Sequence, residues 1–184
     1  MKTKTWITSD LHFYHDNIIK YCERPFRDSA EMNERMIEQF IEKIAPDDHV
    51  FHVGDFMFGK PTQDNFFAIF DRLPGNWHFV LGNHDRKTLK KWKNELLEHP
   101  RILEIKNQID LVHDNKLFIL NHYDSDNWNP EQTDYEEVFL LFGHLHSKPD
   151  ARFKENTVDV GFDATGCELK TIDEQVGRML LAEG

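Results

Sequence analysis

Cysteine is scarce in this sequence: Cys22 and Cys167 are the only two in 184 residues, and neither sits in a recognisable motif. That argues against a disulfide framework and suits a reducing cytosol. Positive charge is also short. Twenty-two Lys and Arg face 33 Asp and Glu, giving a formal net charge of −11 and a pI near 5.4. Such a surface repels polyanions, so stable binding to long nucleic acid is not expected. No apolar run approaches the roughly 18 residues needed to cross a bilayer, and Met1–Asp10 lacks the apolar stretch of a signal peptide. The expectation is a cytoplasmic protein without a membrane partner. No repeat, low-complexity tract or Gly/Ser-rich linker divides the chain, which predicts a single domain over residues 1–184.

What is present is an alternation of apolar, β-branched runs with helix-like stretches, the pattern of an α/β protein. Strands are predicted over Thr3–Ser9, Asp48–Val53, Trp77–Leu81, Arg101–Lys106, Gln108–His113, Lys116–Asn121, Val138–Phe142 and Thr157–Val160, with Asp114-Asn115 as a two-residue hairpin turn. Helices are predicted over Ser29–Ile44 (capped by Ser29, with Met32, Met36, Phe40 and Ile44 on one face), Thr62–Leu73, Thr88–His99 and Thr171–Ala182. In the last, Thr171 and Glu174 have the spacing of a capping box.

The strand ends are the informative places. Five apolar runs lead at once into metal-ligand types: Asp10-Leu11-His12, Gly54-Asp55, Gly82-Asn83-His84-Asp85, Asn121-His122 and Gly143-His144-Leu145-His146. Ligands of open α/β sheets bind outside the carboxyl ends of strands. If these strands are neighbours, the five clusters meet. Asp, His and Asn suit Mn, Fe or Zn, and no Cys contributes. The glycines before Asp55, Asn83 and His144 permit sharp turns and close approach to a ligand. Two dications beside two carboxylates would leave the site positive and reverse the acidic field locally, which favours a phosphate.

In this order the blocks D-x-H, G-D, G-N-H-D, H and G-H-x-H make the sequence resemble the calcineurin-like metallophosphoesterase superfamily. The resemblance spans Asp10 to His146, and Thr157–Ala164 is similar to the closing strand of small bacterial members. It implies an α-β-β-α sandwich, with two mixed sheets face to face and helices outside. It implies two divalent metal ions, Mn favoured over Fe, Zn or Ni. Asp10, His12, Asp55 and His146 would hold one ion, and Asp55, Asn83, His122 and His144 the other. His84 would face the substrate as proton donor or transition-state stabiliser, oriented by Asp85 through a hydrogen bond. The implied reaction is phosphoester hydrolysis by a metal-activated hydroxide.

The protein Ser/Thr phosphatase block is lacking, since Gly54-Asp55-Phe56-Met57-Phe58-Gly59-Lys60 has neither its second Asp nor its Arg. The expected substrate is therefore a small or nucleotide-like phosphodiester. The alternatives are a nuclease or phosphatase acting on oligonucleotide ends, and a non-catalytic metal-binding scaffold. Substrate contacts are sought in the loop Phe13–Asp28, at His15, Asn17 or Arg24, and at Arg86. Trp128 is a candidate for stacking on a base, while Lys87, Lys90, Lys91 and Lys93 read as a solvated helix face.

Overall fold

In the computed structural model, which describes residues 2–124, 135, 137–146 and 156–182, two sheets pack face to face. The first has five strands in the order β4 (Ile102–Lys106), β3 (Asn76–Val80), β2 (His49–Val53), β1 (Thr5–Thr8) and β9 (Lys170–Thr171), parallel except for β9. The second has four, β5 (Gln108–His113), β6 (Lys116–Asn121), β7 (Val138–Phe142) and β8 (Thr157–Asp159), with β5 and β6 forming an antiparallel hairpin. The hairpin turn falls on Asp114-Asn115, both with positive φ, as a primed two-residue turn requires. The remaining elements are α1 (Asp16–Tyr21), α2 (Ser29–Lys43), α3 (Gln63–Phe70), a 3-10 turn at His84–Lys87, α4 (Lys93–Leu96) and α5 (Ile172–Ala182).

Alternation along each strand sorts the core into layers. Trp6, Val50, Trp77 and Phe79 face Met32, Met36, Phe40, Phe66 and Phe70 of α2 and α3. Ile7, Phe51, Val53 and Val80 point the other way, against Ile109, Phe118, Leu120, Phe139 and Leu141 of the second sheet. Leu117, Ile119, Val138, Leu140 and Phe142 form a third buried cluster with Leu145. The mixed α/β sandwich is thus in place. The sheets are also stitched at the end where the ligand clusters lie: Ser9 bridges Gly161, and Phe162 N donates to Ser9 O at 2.9 Å.

Several boundaries differ for physical reasons. Asp28, not Ser29, caps α2, because its carboxylate accepts the Glu31 N–H at 2.9 Å. The helix expected over Thr88–His99 is helical only at Lys93–Leu96. The segment before it is held as turns, with Thr88 N and Lys90 N both donating to Asp85 O. Helix α1 and strand β9 escape periodicity because they have only six and two residues. The capping box at Thr171 and Glu174 is present. Among the described residues no helix is long and apolar enough to cross a membrane.

At the opposite end of the sheet from the ligand clusters, buried Asp48 accepts Lys4 N at 2.8 Å, Trp6 Nε1 at 2.9 Å and Ala45 N at 3.0 Å. Asp48→Ala strands these donors and should cost about 2–4 kcal/mol in urea unfolding. A loss below about 0.5 kcal/mol would mean that the carboxylate does not tie β1 to β2.

Candidate functional site

The five clusters converge. Each ligand turn leaves a strand at its carboxyl end, and three of the five bend at once through the left-handed region. Asp10 (φ 56°), His12 (φ 52°), Asp55 (φ 61°), His144 (φ 72°) and His146 (φ 50°) all have positive φ. For residues with a Cβ this costs of order 1–2 kcal/mol each, and such strain collects where function requires it. The glycines before the clusters supply space. A Cβ on Gly82 would overlap the Asp55 carboxylate and come within 2.6 Å of Asp55 N, while one on Gly143 would overlap Ser9 Oγ and the Asp10 carboxylate.

Two carboxylates organise the ring in the same way. Asp10 Oδ2 accepts the His144 backbone N–H at 2.9 Å, and Oδ1 faces His146 Nε2 at 3.6 Å and His12 Nε2 at 3.7 Å. Asp55 Oδ1 accepts the His84 backbone N–H at 2.9 Å, and Oδ2 faces His122 Nε2 at 3.4 Å, His12 Nε2 at 3.8 Å and His84 Nε2 at 3.9 Å. Asn83 Oδ1 lies 3.1 Å from His122 Nε2. The ligand atoms of Asp10, His12 and His146 all lie within 4.8 Å of one another, as do those of Asp55, His122 and His144.

Three observations test whether cations fit. Asp10 Oδ1 and both ring nitrogens of His12 are buried with no hydrogen-bond partner, a costly state that a cation at Asp10 Oδ1 and His12 Nε2 relieves. The electrostatics also carry an excess of negative charge. Burial disfavours protonated His122, yet Asp55 and Asp10 outweigh it and push its pKa up to about 9. Burial and the Asp55 charge push the Asp85 carboxyl up to about 7, against the N–H groups it accepts. A proton on His122 Nε2 therefore sits where a cation would. Finally, the far nitrogen of His122 is anchored: its Nδ1 donates to Val53 O at 2.9 Å, leaving Nε2 to point at the ring. Burial lowers the pKa of His12, and burial with nearby His122 lowers that of His144, as neutral ligands require. The residues present fit divalent ions.

Two sequence expectations are corrected. Asp85 is not bonded to His84. Its fully buried carboxylate accepts Asp55 N at 2.7 Å, Gly82 N at 2.8 Å and Phe56 N at 3.2 Å, because three backbone donors converge beneath the Asp55 turn. It shapes the loop that presents Asp55 and Asn83. Arg24 is not offered to a substrate. Its buried guanidinium grips both oxygens of Asp163 at 2.7 and 3.0 Å, donates to Leu11 O at 2.9 Å and donates to Asp10 O at 2.7 Å.

Among the other expected contacts, His15 is buried and stacks on Phe58 with centroids 3.5 Å apart; burial, with His12 next in weight, pushes its pKa down to about 4. Asn17 and Arg86 are exposed, Arg86 two residues past His84. Trp128 lies outside the described residues. His84 is half-buried on the lip, its ring 5.0 Å from Phe58 and 5.3 Å from His12.

One functional residue escapes the sequence pattern. Asp163 accepts His146 Nδ1–H at 2.7 Å while buried Arg24 holds its other side, so an Arg24–Asp163–His146 chain aims His146 Nε2 at Asp10. Against the cost of burial, Asp163 raises the His146 pKa. Within the Thr157–Ala164 segment it is one of two aspartates, with no motif around it. Cys22 also approaches this chain, with Sγ within 4.8 Å of ligand atoms of His146 and Asp163.

The family model of the calcineurin-like phosphoesterase superfamily domain matches residues 4–160. An uncharacterized protein of Methanocaldococcus jannaschii is 37% identical over 83 residues, which are 45% of this chain and 47% of that protein. The Gene 66 protein of Mycobacterium phage L5 is 33% identical over 87 residues, 45% of this chain and 40% of its own. The matches thus span less than half of these relatives. A solved protein of unknown function from Aquifex aeolicus shares the fold, with a TM-score of 0.72 and 21% identity over 97% of this chain and 100% of that one.

Asp163→Asn keeps the size but removes the charge that anchors His146. Affinity for Mn, measured by calorimetry, should fall about 10–100-fold with an unchanged circular dichroism spectrum. Unchanged affinity would make the chain a packing feature only.

Proposed function

This chain belongs to the calcineurin-like phosphoesterase superfamily, and on that premise we propose that it is a dinuclear-metal-dependent phosphodiesterase for small or nucleotide-like substrates. The observation that carries the reading is the pair of carboxylates, each spending one oxygen on a backbone N–H and turning the other toward histidine Nε2 atoms. Asp10, His12, His146 and Asp55 would hold one ion. Asp55, Asn83, His122 and His144 would hold the second, with Asp55 shared. The donor set accepts Mn, Fe, Zn or Ni, and its oxygen ligands favour Mn. When bound, such ions lower the pKa of water and neutralise charge on phosphoryl oxygens.

The chain's own residues supply the rest. His84 stands on the lip with its backbone N–H tied to Asp55 Oδ1, and its ring would hand a proton to the leaving oxygen. Asp85 fixes the turn beneath it. The wall beside His84 is aromatic, formed by Phe58 and His15, and Arg24 is already tied to Asp163 and two backbone carbonyls. A monoester dianion gains from an additional cation at its free oxygens, whereas a diester monoanion with a planar substituent suits a neutral aromatic wall.

With Mn present, bis(p-nitrophenyl) phosphate should be cleaved faster than the mono ester, and a chelator should abolish turnover. Activity confined to monoesters would overturn the diesterase reading. His84→Ala should keep its metals and lose about 10²–10⁴ in kcat; full activity with metals confirmed would remove His84 from the reaction.

A further inference from the structure

Beyond His84 the chain carries Arg86, Lys87, Lys90, Lys91 and Lys93, five cations in eight residues with no acid among them. In a chain with eleven more acids than bases this is a local reversal of sign. Elsewhere several cations are paired, Arg27 with Asp28, Arg35 with Glu38, Arg72 with Glu34, Lys106 with Glu104 and Lys116 with Glu137, and the described cations without an ion pair, such as Lys20, Lys60 and Lys170, are scattered along the chain. None of the five forms an ion pair among the described residues, and Arg86, Lys87, Lys90 and Lys91 are exposed.

The segment is not a loose charged tail. Thr88, Leu89, Trp92 and Leu96 are buried, Leu89, Trp92 and Leu96 joining the core against α2 and α3. These anchors turn the cations outward. Thr88 N and Lys90 N both donate to Asp85 O, at 3.2 and 3.0 Å, and the Asp85 carboxylate holds Asp55 N. The ledge therefore hangs from the same residue that shapes the ligand turn. Arg86 lies two residues, at most about 7.6 Å of backbone, from His84. At physiological ionic strength charges farther than about 8 Å are largely screened. A phosphate beside the ledge thus responds to these cations more than to the distant acidic surface.

We propose that the ledge from Arg86 to Lys93 binds further phosphates of a substrate that continues past the scissile diester on the His84 side. The substrate class is then a short chain of phosphates, either a single-stranded oligonucleotide or a nucleotide with several phosphates in series. This rests on the phosphodiesterase reading and narrows it. A diester with a single phosphate does not reach the ledge and gains nothing from it.

The test is Lys90→Gln/Lys91→Gln, two exposed positions whose side chains are not among the proposed metal ligands. Its substrates are pentathymidylate, diadenosine tetraphosphate and bis(p-nitrophenyl) phosphate, each with Mn. The KM for pentathymidylate or for the tetraphosphate should rise roughly tenfold with kcat held, and the steepness of its dependence on log salt should fall by about 1.4 for the two charges removed. Values for bis(p-nitrophenyl) phosphate should change less than about twofold. A loss with one substrate alone identifies which source of phosphates the ledge serves. Unchanged KM for both, or failure of wild-type protein to cleave either, overturns the proposal while leaving the diesterase reading intact. Inactivity of wild type on all three overturns the diesterase reading instead. Anisotropy of labelled pentathymidylate then still reads the ledge without turnover: equal affinity of wild type and variant would sink it.

Discussion

The structure depends on one electrostatic constraint: two carboxylates, Asp10 and Asp55, are buried side by side where the sheets converge, with histidines around them and too little positive charge to balance them. Burying acids costs several kcal/mol unless they are paired. Here the backbone answers for half of each group, through the N–H groups of His144 and His84. The other half faces imidazole nitrogens at 3.4 to 3.9 Å, separations too long for hydrogen bonds and with room for an ion between. Against the cost of burial, Asp55 and Asp10 push the His122 pKa up to about 9, a symptom of that imbalance; burial first, and the Asp55 charge second, push the Asp85 carboxyl up to about 7.

The supporting residues are set by the same constraint. Ligand turns at positive φ are strained, and strained turns persist only when their surroundings hold them. Arg24 holds the Asp10–His12 turn by its carbonyls and, through Asp163, aims His146. Asp85 does the equivalent for Asp55, Phe56 and Gly82. Arg24 is satisfied by Asp163 and two backbone carbonyls, and Asp85 by three backbone N–H groups. That arrangement fixes geometry at the cost of tolerating few substitutions. Helices α2 and α3 and the aromatic core beneath β1, β2 and β3 keep these strand ends in register.

The ring itself is legible in the sequence because its chemistry is punctuated: each ligand cluster comes after an apolar run, and the strands of the first sheet align their carboxyl ends. Residues acting through others are not legible in that way. Adjacency suggests Asp85 as a partner for His84, but a buried carboxylate goes where backbone donors converge, and sequence does not locate those. Arg24 has the look of a loop cation free for a phosphate. Its burial depends on Asp163, 139 positions away, a pairing that no local pattern encodes. The helix over Thr88–His99 is shorter than its periodicity suggests for a related reason, since Asp85 O captures the amides that would have begun it. The buried spacing of Leu89, Trp92 and Leu96 survives in the turns, which leaves the lysines facing outward.

The most direct measurement of the central claim is the metal content of the purified chain after equilibration with Mn and removal of free ion. A cage with one shared carboxylate predicts close to two ions per chain, falling when Asp55→Asn removes the shared ligand. A chain that retains none, with its fold intact, would contradict it.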